Sequence, residues 1–202
     1  MKVSAIVLVL LWLHGGFSAK AQTSTPFHLS TSTLQLEYNS LRKAKDAHSR
    51  ALHSYLLSDA ADEYADSLNR QIEPHKNDDD LHWRPVQSAV ASAIKKANKY
   101  GASLLWCEYS GEWTSNAQGY LAYLSEWPDG TLAEEAWWRG KLHYRVDSCV
   151  DAAGSEEETA EFVQDYTEFL AHFPHGKHEQ EARALLKEFQ EELDAYKQEK
   201  NK

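Results

Sequence analysis

Residues 3–13 form an almost continuous apolar run behind a single positive charge at Lys2. His14, Gly15 and Gly16 interrupt it, and Ala19-Lys20-Ala21 is a small-x-small site suited to cleavage between Ala21 and Gln22. Positive, apolar, then small is the order of a secretory signal peptide, and a run this short falls below the ~20 residues of a spanning helix. Residues 1–21 are therefore expected to leave the chain; the alternative is an uncleaved anchor. No Cys follows the run, so lipid attachment at a new N-terminus is not expected.

Residues 22–33 (QTSTPFHLSTST) are polar, hydroxyl-rich and aperiodic, and read as a flexible leader. From Leu34 the spacing turns helical: Leu36, Leu41, Ala44, His48, Ala51, Leu52, Tyr55 and Leu56 recur at three and four. Ala60, Tyr64 and Leu68 carry the pattern toward Ile72, as one long helix or two abutting ones, and Pro74 ends it. A second helix is expected from about residue 84, with Pro85 at a first helical position. Val86, Val90, Ala93, Ile94, Ala97, Gly101, Leu104 and Leu105 give it an apolar face up to Cys107, and Ser110-Gly111 stops it.

Further on the punctuation is sharper. Thr114 is placed to cap a helix running to Trp127, and Pro128-Asp129-Gly130 turns the chain. Thr131 with Glu134, and Ser155 with Glu158, have capping-box spacing, so helices are expected over about 131–149 and from 155 to Phe173. The acidic run Glu156-Glu157-Glu158 suits the positive end of a helix dipole and needs no binding role. Pro174-His175-Gly176 turns again, and a last helix is expected from about His178 toward Lys200. The pattern predicts an all-α chain of about six helices, with 34–109 as an N-terminal helical region and 110–202 as helical hairpins.

Composition agrees and narrows the function. Gly (9) and Pro (5) are scarce in 202 residues, as long helices require. The net charge is −10; removing residues 1–21 takes Lys2 and Lys20 and no acid, leaving 19 basic against 31 acidic residues, a mature charge of −12. Such a chain repels phosphate backbones and anionic lipid, which argues against nucleic-acid binding and polybasic membrane docking. Export to an oxidising compartment gives the two cysteines, Cys107 and Cys149, the reading of a structural disulfide, with two buried thiols as the alternative. The bridge would close a loop of about 40 residues, worth about 3–4 kcal/mol in the chain-entropy account. No Cys-x-x-Cys motif suggests redox chemistry.

The chain also contains an internal likeness. YLAYLSEWPDGTLAEEAWW (120–138) overlies YTEFLAHFPHGKHEQEARA (166–184) at an offset of 46. The matches are Tyr120/Tyr166, Tyr123/Phe169, Leu124/Leu170, Trp127/Phe173, Pro128/Pro174, Gly130/Gly176, Glu135/Glu181 and Ala136/Ala182. Aromatics and Leu share one face of a first helix, Pro-x-Gly forces a turn, and the small residue lets the second helix approach. A hairpin copied along a chain is the mark of an α-solenoid. These residues resemble the tetratricopeptide-like (TPR-like) repeats of bacterial envelope proteins, such as the lipoprotein of the outer-membrane β-barrel assembly machine and the periplasmic coordinator of the Tol–Pal system. The resemblance covers about 114–200 in two copies. It departs from the family in its 46-residue spacing, where 34 is usual, and in lacking the assembly lipoprotein's lipid-attachment Cys. It implies a periplasmic or secreted adaptor or scaffold that binds protein partners without catalysis.

No catalytic motif competes. There is no Gly-rich phosphate loop, no Gly-x-Ser-x-Gly elbow and no His-Glu-x-x-His pair. His172, His175 and His178 are interrupted by the Pro174-Gly176 turn and lack a completing ligand, so solvated loop histidines are expected, with no metal or cofactor. Glu134 and Glu135 are neighbours, pointing about 100° apart on a helix, and so do not face each other as a glycosidase pair must. Trp106 and Trp127 are expected in the core. Trp137 and Trp138 cannot both fill one seam, so one of them, with Tyr120, is the expected partner-binding surface. A carboxylate-rich rim would favour a basic or polar partner segment. Two alternatives remain: a glycan-binding or cell-wall-enzyme accessory domain, and a structural domain that self-associates.

Overall fold

The computed structural model describes residues 27–76, 80–107, 110–143 and 155–200. The signal segment, the Ala21–Gln22 cleavage site and Cys149 lie outside them. Among the described residues the fold is mostly helical: seven helices and one two-stranded hairpin.

α1 (Ser32–Lys43) and α2 (Ala47–Ile72) are separate helices. The break comes at Ala44–Asp46, where Asp46 starts α2 by accepting the Ser49 N–H at 2.8 Å. Ahead of α1, Phe27 and Leu29 pack on the first core and the His28 N–H donates to Gln71 Oε1 at 2.9 Å. α2 closes through a 3₁₀ turn, Glu73–His75, that contains Pro74.

α3 (Asp80–Asn98) begins earlier than Pro85, which sits inside the helix. It also ends well before Cys107, which corrects the all-α expectation for this stretch. Gly101 has φ +76°, the Ala102 N–H reaches back to the Ala97 carbonyl (3.2 Å), and the Gly101 N–H to Asn98 (3.1 Å). This is a Schellman ending, in which a left-handed glycine after the last turn satisfies the final carbonyls. The freed chain then pairs with itself as β1 (Leu104–Cys107) and β2 (Glu112–Ser115), antiparallel, with Trp106 opposite Trp113. Thr114 therefore lies in a strand and does not cap a helix. Trp106 is 45% exposed, against the expectation of a core position, and rests on Trp113 with ring centroids 5.5 Å apart.

α4 (Gln118–Glu126) and α5 (Ala133–Trp137, continuing as a π-helical stretch, Trp138–His143) form one hairpin. α6 (Glu156–His172) and α7 (Glu179–Lys200) form the other. Ser155 caps α6 as expected, accepting the Glu158 N–H at 3.2 Å. The Thr131–Glu134 capping box does not form: α5 starts after Leu132 without a side-chain cap.

Three of the pairs matched at offset 46 are equally buried, whereas Leu124 is half-buried where Leu170 is buried. Tyr120 and Tyr166 are both 1% exposed, Tyr123 and Phe169 both 0%, Ala136 and Ala182 both 0%. In the turns, the Trp127 and Phe173 N–H groups bond to Tyr123 and Phe169 carbonyls at 2.8 and 2.9 Å. Those of Gly130 and Gly176 bond to Trp127 and Phe173 carbonyls at 3.1 and 3.2 Å.

Three cores follow along the chain. The second half of α2 packs with α1, α3 and Leu104 around Tyr64, Leu68, Ile72, Val86 and Val90. The first half of α2 presents Ala51 and Tyr55 to Tyr120, Tyr123, Ala133 and Ala136. Trp138 and Leu142 join Phe162, Tyr166, Phe169 and Ala182 in the third. The 26-residue α2 is thus the spine against which both the N-terminal helices and the first hairpin are built.

Candidate functional site

Where α2, β2 and the first hairpin meet, they leave a groove of about 410 Å³. α2 contributes Asp62, Asp66 and Asn69, spaced by four and three and so on one helical face. β2 contributes Glu112, Trp113, Thr114 and Ser115; α4 contributes Tyr120; the α5 segment contributes Glu135, Trp138, Arg139 and His143; and His178 enters from the turn of the second hairpin, just before α7. Asn69 also secures the strand edge: its Oδ1 accepts the Trp113 N–H and its Nδ2 donates to the Trp113 carbonyl, both at 2.8 Å.

A charged network runs along one wall. The Tyr120 hydroxyl donates to Asp62 Oδ2 at 2.6 Å and accepts from Arg139 Nη1 at 2.7 Å. Ser115 Oγ donates to Asp62 Oδ1, and Arg139 also binds Asp59. The same guanidinium lies 3.8 Å from Asp62 Oδ2 and 3.5 Å from Glu135 Oε1, with its carbon 5.5 Å from the centre of the Tyr120 ring. Burial pushes the Asp62 carboxyl above the usual carboxylate range, outweighing the hydrogen bonds from Ser115 and Tyr120 and the charge of Arg139. Burial also drives the Tyr120 phenol well up, with the adjacent Asp62 adding to the effect. At Glu135 the balance is opposite. Burial pushes its carboxyl up, but hydrogen bonds from His178 and Lys177 prevail and hold it below its ordinary value.

Glu134 and Glu135 join the two hairpins. Glu134 Oε1 accepts the His178 backbone N–H at 2.9 Å, next to the first turn of α7. Glu135 Oε2 lies 3.0 Å from His178 Nε2 and 3.1 Å from Lys177 Nζ. The His178 ring stacks on Trp138, 4.3 Å between centroids and 6° from parallel. These carboxylates therefore hold the second hairpin against the first.

Tyr120 and Trp138 line the same groove, Tyr120 1% and Trp138 4% exposed. Trp137 is half-buried on another face, against Phe169, His172 and Phe173. There it borders a second, apolar depression with Leu121, Leu124, Pro128 and Lys141, whose ammonium lies 4.1 Å from the centre of the indole ring. Cys107 is buried at the end of β1, and the Ser110 N–H points to its Sγ at 3.4 Å; Cys149 lies outside the described residues. His175 is exposed, but His178 is buried against Trp138, which corrects the expectation of a solvated loop histidine there; among the described residues no group of His, Cys, Asp or Glu is arranged to hold a metal ion. Nor is any described helix long and apolar enough to cross a membrane.

The sequence reading did not single out Asp62, Asp66, Glu112 or Arg139. Two signals were available: the acidic stripe Asp59, Asp62 and Asp66 at helical spacing beside the apolar face of α2, and the Glu135–Arg139 pair at i, i+4. Their convergence is tertiary, since β2 and α4 lie 46 or more residues from Asp66. Compared with known proteins, the chain matches no family, no curated protein and no solved structure.

Proposed function

We propose that this protein is an exported, periplasmic or secreted, adaptor of TPR-like hairpins that binds a protein partner and carries out no catalysis. The observation that supports this reading is the recurrence at offset 46 of the same turn bonds and of three equally buried positions. The same aromatic carbonyls are bonded in the turn, the same aromatic positions are buried, and the same alanine lies at the helix contact. A hairpin repeated in this way exists to present extended surfaces, and its half-buried aromatics are the natural anchors for a partner. Trp137, edged by Leu121 and Leu124, supplies one anchor; the Tyr120 and Trp138 side of the hairpin supplies the acidic groove. The chemistry found along the groove supports binding over turnover: its Glu135, Arg139 and His178 are engaged in holding α2, α5 and the second hairpin together.

Pull-down from envelope extract with the full chain as bait, followed by mass spectrometry, tests the reading. Specific protein prey that is lost with Trp137→Ala is expected. Retention on peptidoglycan without protein prey would replace the adaptor with a glycan reader, and self-association alone would leave a structural domain.

A further inference from the structure

We propose that the depression beside Trp137 receives a partner segment in which an acidic residue adjoins an apolar one, a choice that rests on the adaptor reading and adds the chemistry of what is bound. The depression measures about 350 Å³ and lies between α4 and the π-helical end of α5. Leu121, Leu124 and Ser125, at i, i+3 and i+4, share one face of α4, and Pro128 follows in the turn. Leu121 is 42% exposed, one of four large hydrophobic side chains so open among the described residues. Of the residues that line the depression, Lys141 alone is charged. Its ammonium lies 4.1 Å from the centre of the Trp137 indole ring and forms no salt bridge among the described residues. Glu126 and Asp129, next in sequence to lining residues, are exposed and stand outside the lining.

Charge complementarity decides the occupant. The neighbouring cations are already matched: Arg139 is shared among Asp59, Asp62 and Glu135, and Lys177 faces Glu135. Lys141 is half-buried and unmatched, beside apolar surface. The negative face of the indole holds its ammonium in place, so little side-chain freedom remains to be lost when an anion arrives. A carboxylate is drawn more strongly to such a cation than to one in open water, because the local dielectric is lower. An apolar side chain next to that carboxylate would fill the space edged by Leu121, Leu124 and Trp137. This occupant is opposite in charge to the one that composition favours. A mature chain of charge −12 repels an acidic segment at a distance, so the affinity must come from the depression itself. A wholly apolar segment would leave the ammonium without a counter-charge, and a basic one would be repelled by it.

The probe is a short capped peptide of alternating Leu and Asp, with its Leu and Asn counterpart as a neutral control, titrated into the full chain by calorimetry. Saturable binding is expected for the Asp peptide, with the Asn peptide weaker by about threefold to tenfold. Lys141→Met should lose a similar factor for the Asp peptide while melting close to the wild type, since an apolar stem remains and no salt bridge is lost. Lys141→Arg should bind as the wild type does. Leu121→Ala, at an exposed position, should weaken both peptides without unfolding the chain. Lys95→Met removes an exposed charge on α3, away from the depression, and should bind normally. Equal binding of the two peptides, or equal losses in Lys141→Met and Lys95→Met, would overturn the proposal; so would the absence of binding. If the peptide fails while the chain still captures protein prey through Trp137, the acidic-segment assignment falls and the adaptor reading stands.

Discussion

Asp62 shows how a single residue can be stabilising and costly at once. It organises Ser115, Tyr120 and Arg139, yet burial holds its carboxyl above the ordinary range. A group whose folded pKa is raised helps most below its unfolded pKa, and that help is lost as pH climbs through the folded value. Asp62→Asn removes this titration. The wild type should therefore lose stability relative to the variant as pH rises from the ordinary carboxylate value, about 4, through the raised folded one, read from urea midpoints at several pH values; parallel curves would show that the carboxyl titrates normally. Glu135 runs the other way: held below its ordinary value by His178 and Lys177, it stabilises above the unfolded pKa and loses that contribution as pH falls through the folded one.

At the scale of elements, contacts between helices rest on residues with little or no side chain. A Cβ on Gly119 would overlap the Ser54 backbone carbonyl and the Ser58 hydroxyl, which itself accepts the Gly119 N–H at 3.0 Å. Gly119→Ala must push α4 off α2, and a loss of about 1–3 kcal/mol is expected from chemical denaturation. Within the hairpins Ala136 and Ala182 do the same work, both fully buried. Ala136→Trp and Ala182→Trp should each lower the melting temperature markedly, since overpacking costs at least about 1–3 kcal/mol; unchanged melting in both would remove the repeat reading. The two tryptophans divide as their surroundings dictate. Trp138, stacked on His178 in the seam, should cost about 3–5 kcal/mol as Trp138→Ala. Trp137→Ala should keep most of the stability and lose partner capture. Unfolding of both variants would make both residues core.

The whole molecule is a chain of three small cores strung along α2 and the two hairpins, and its cohesion depends on the joints between them. Glu134 and Glu135 form one joint. The expected Cys107–Cys149 bridge would be another: Cys107 is buried at the β-hairpin, and a link from it would tie the chain that follows the first hairpin to β1. Mass spectrometry of non-reduced digests of the exported protein should find the linked peptides; free thiols there would count against the bridge.

The local punctuation of this chain was legible without a structure. The Pro-x-Gly turns and the Ser155–Glu158 cap act within one or two turns of backbone, where neighbouring residues decide the conformation. The segment 98–115 was not, because its apolar spacing suits helix and strand alike. What settles it is Gly101, which lets the chain leave α3, and Asn69, 44 residues from Trp113, which secures the strand edge. Glu134 has capping-box spacing to Thr131, yet its carboxylate accepts the His178 N–H just before α7, a partner that only the approach of the second hairpin brings within reach. The acidic groove belongs wholly to tertiary structure. Sequence sets how many carboxylates the chain carries, but only the packing of α2, β2 and α5 decides which share one wall and which are matched by Arg139.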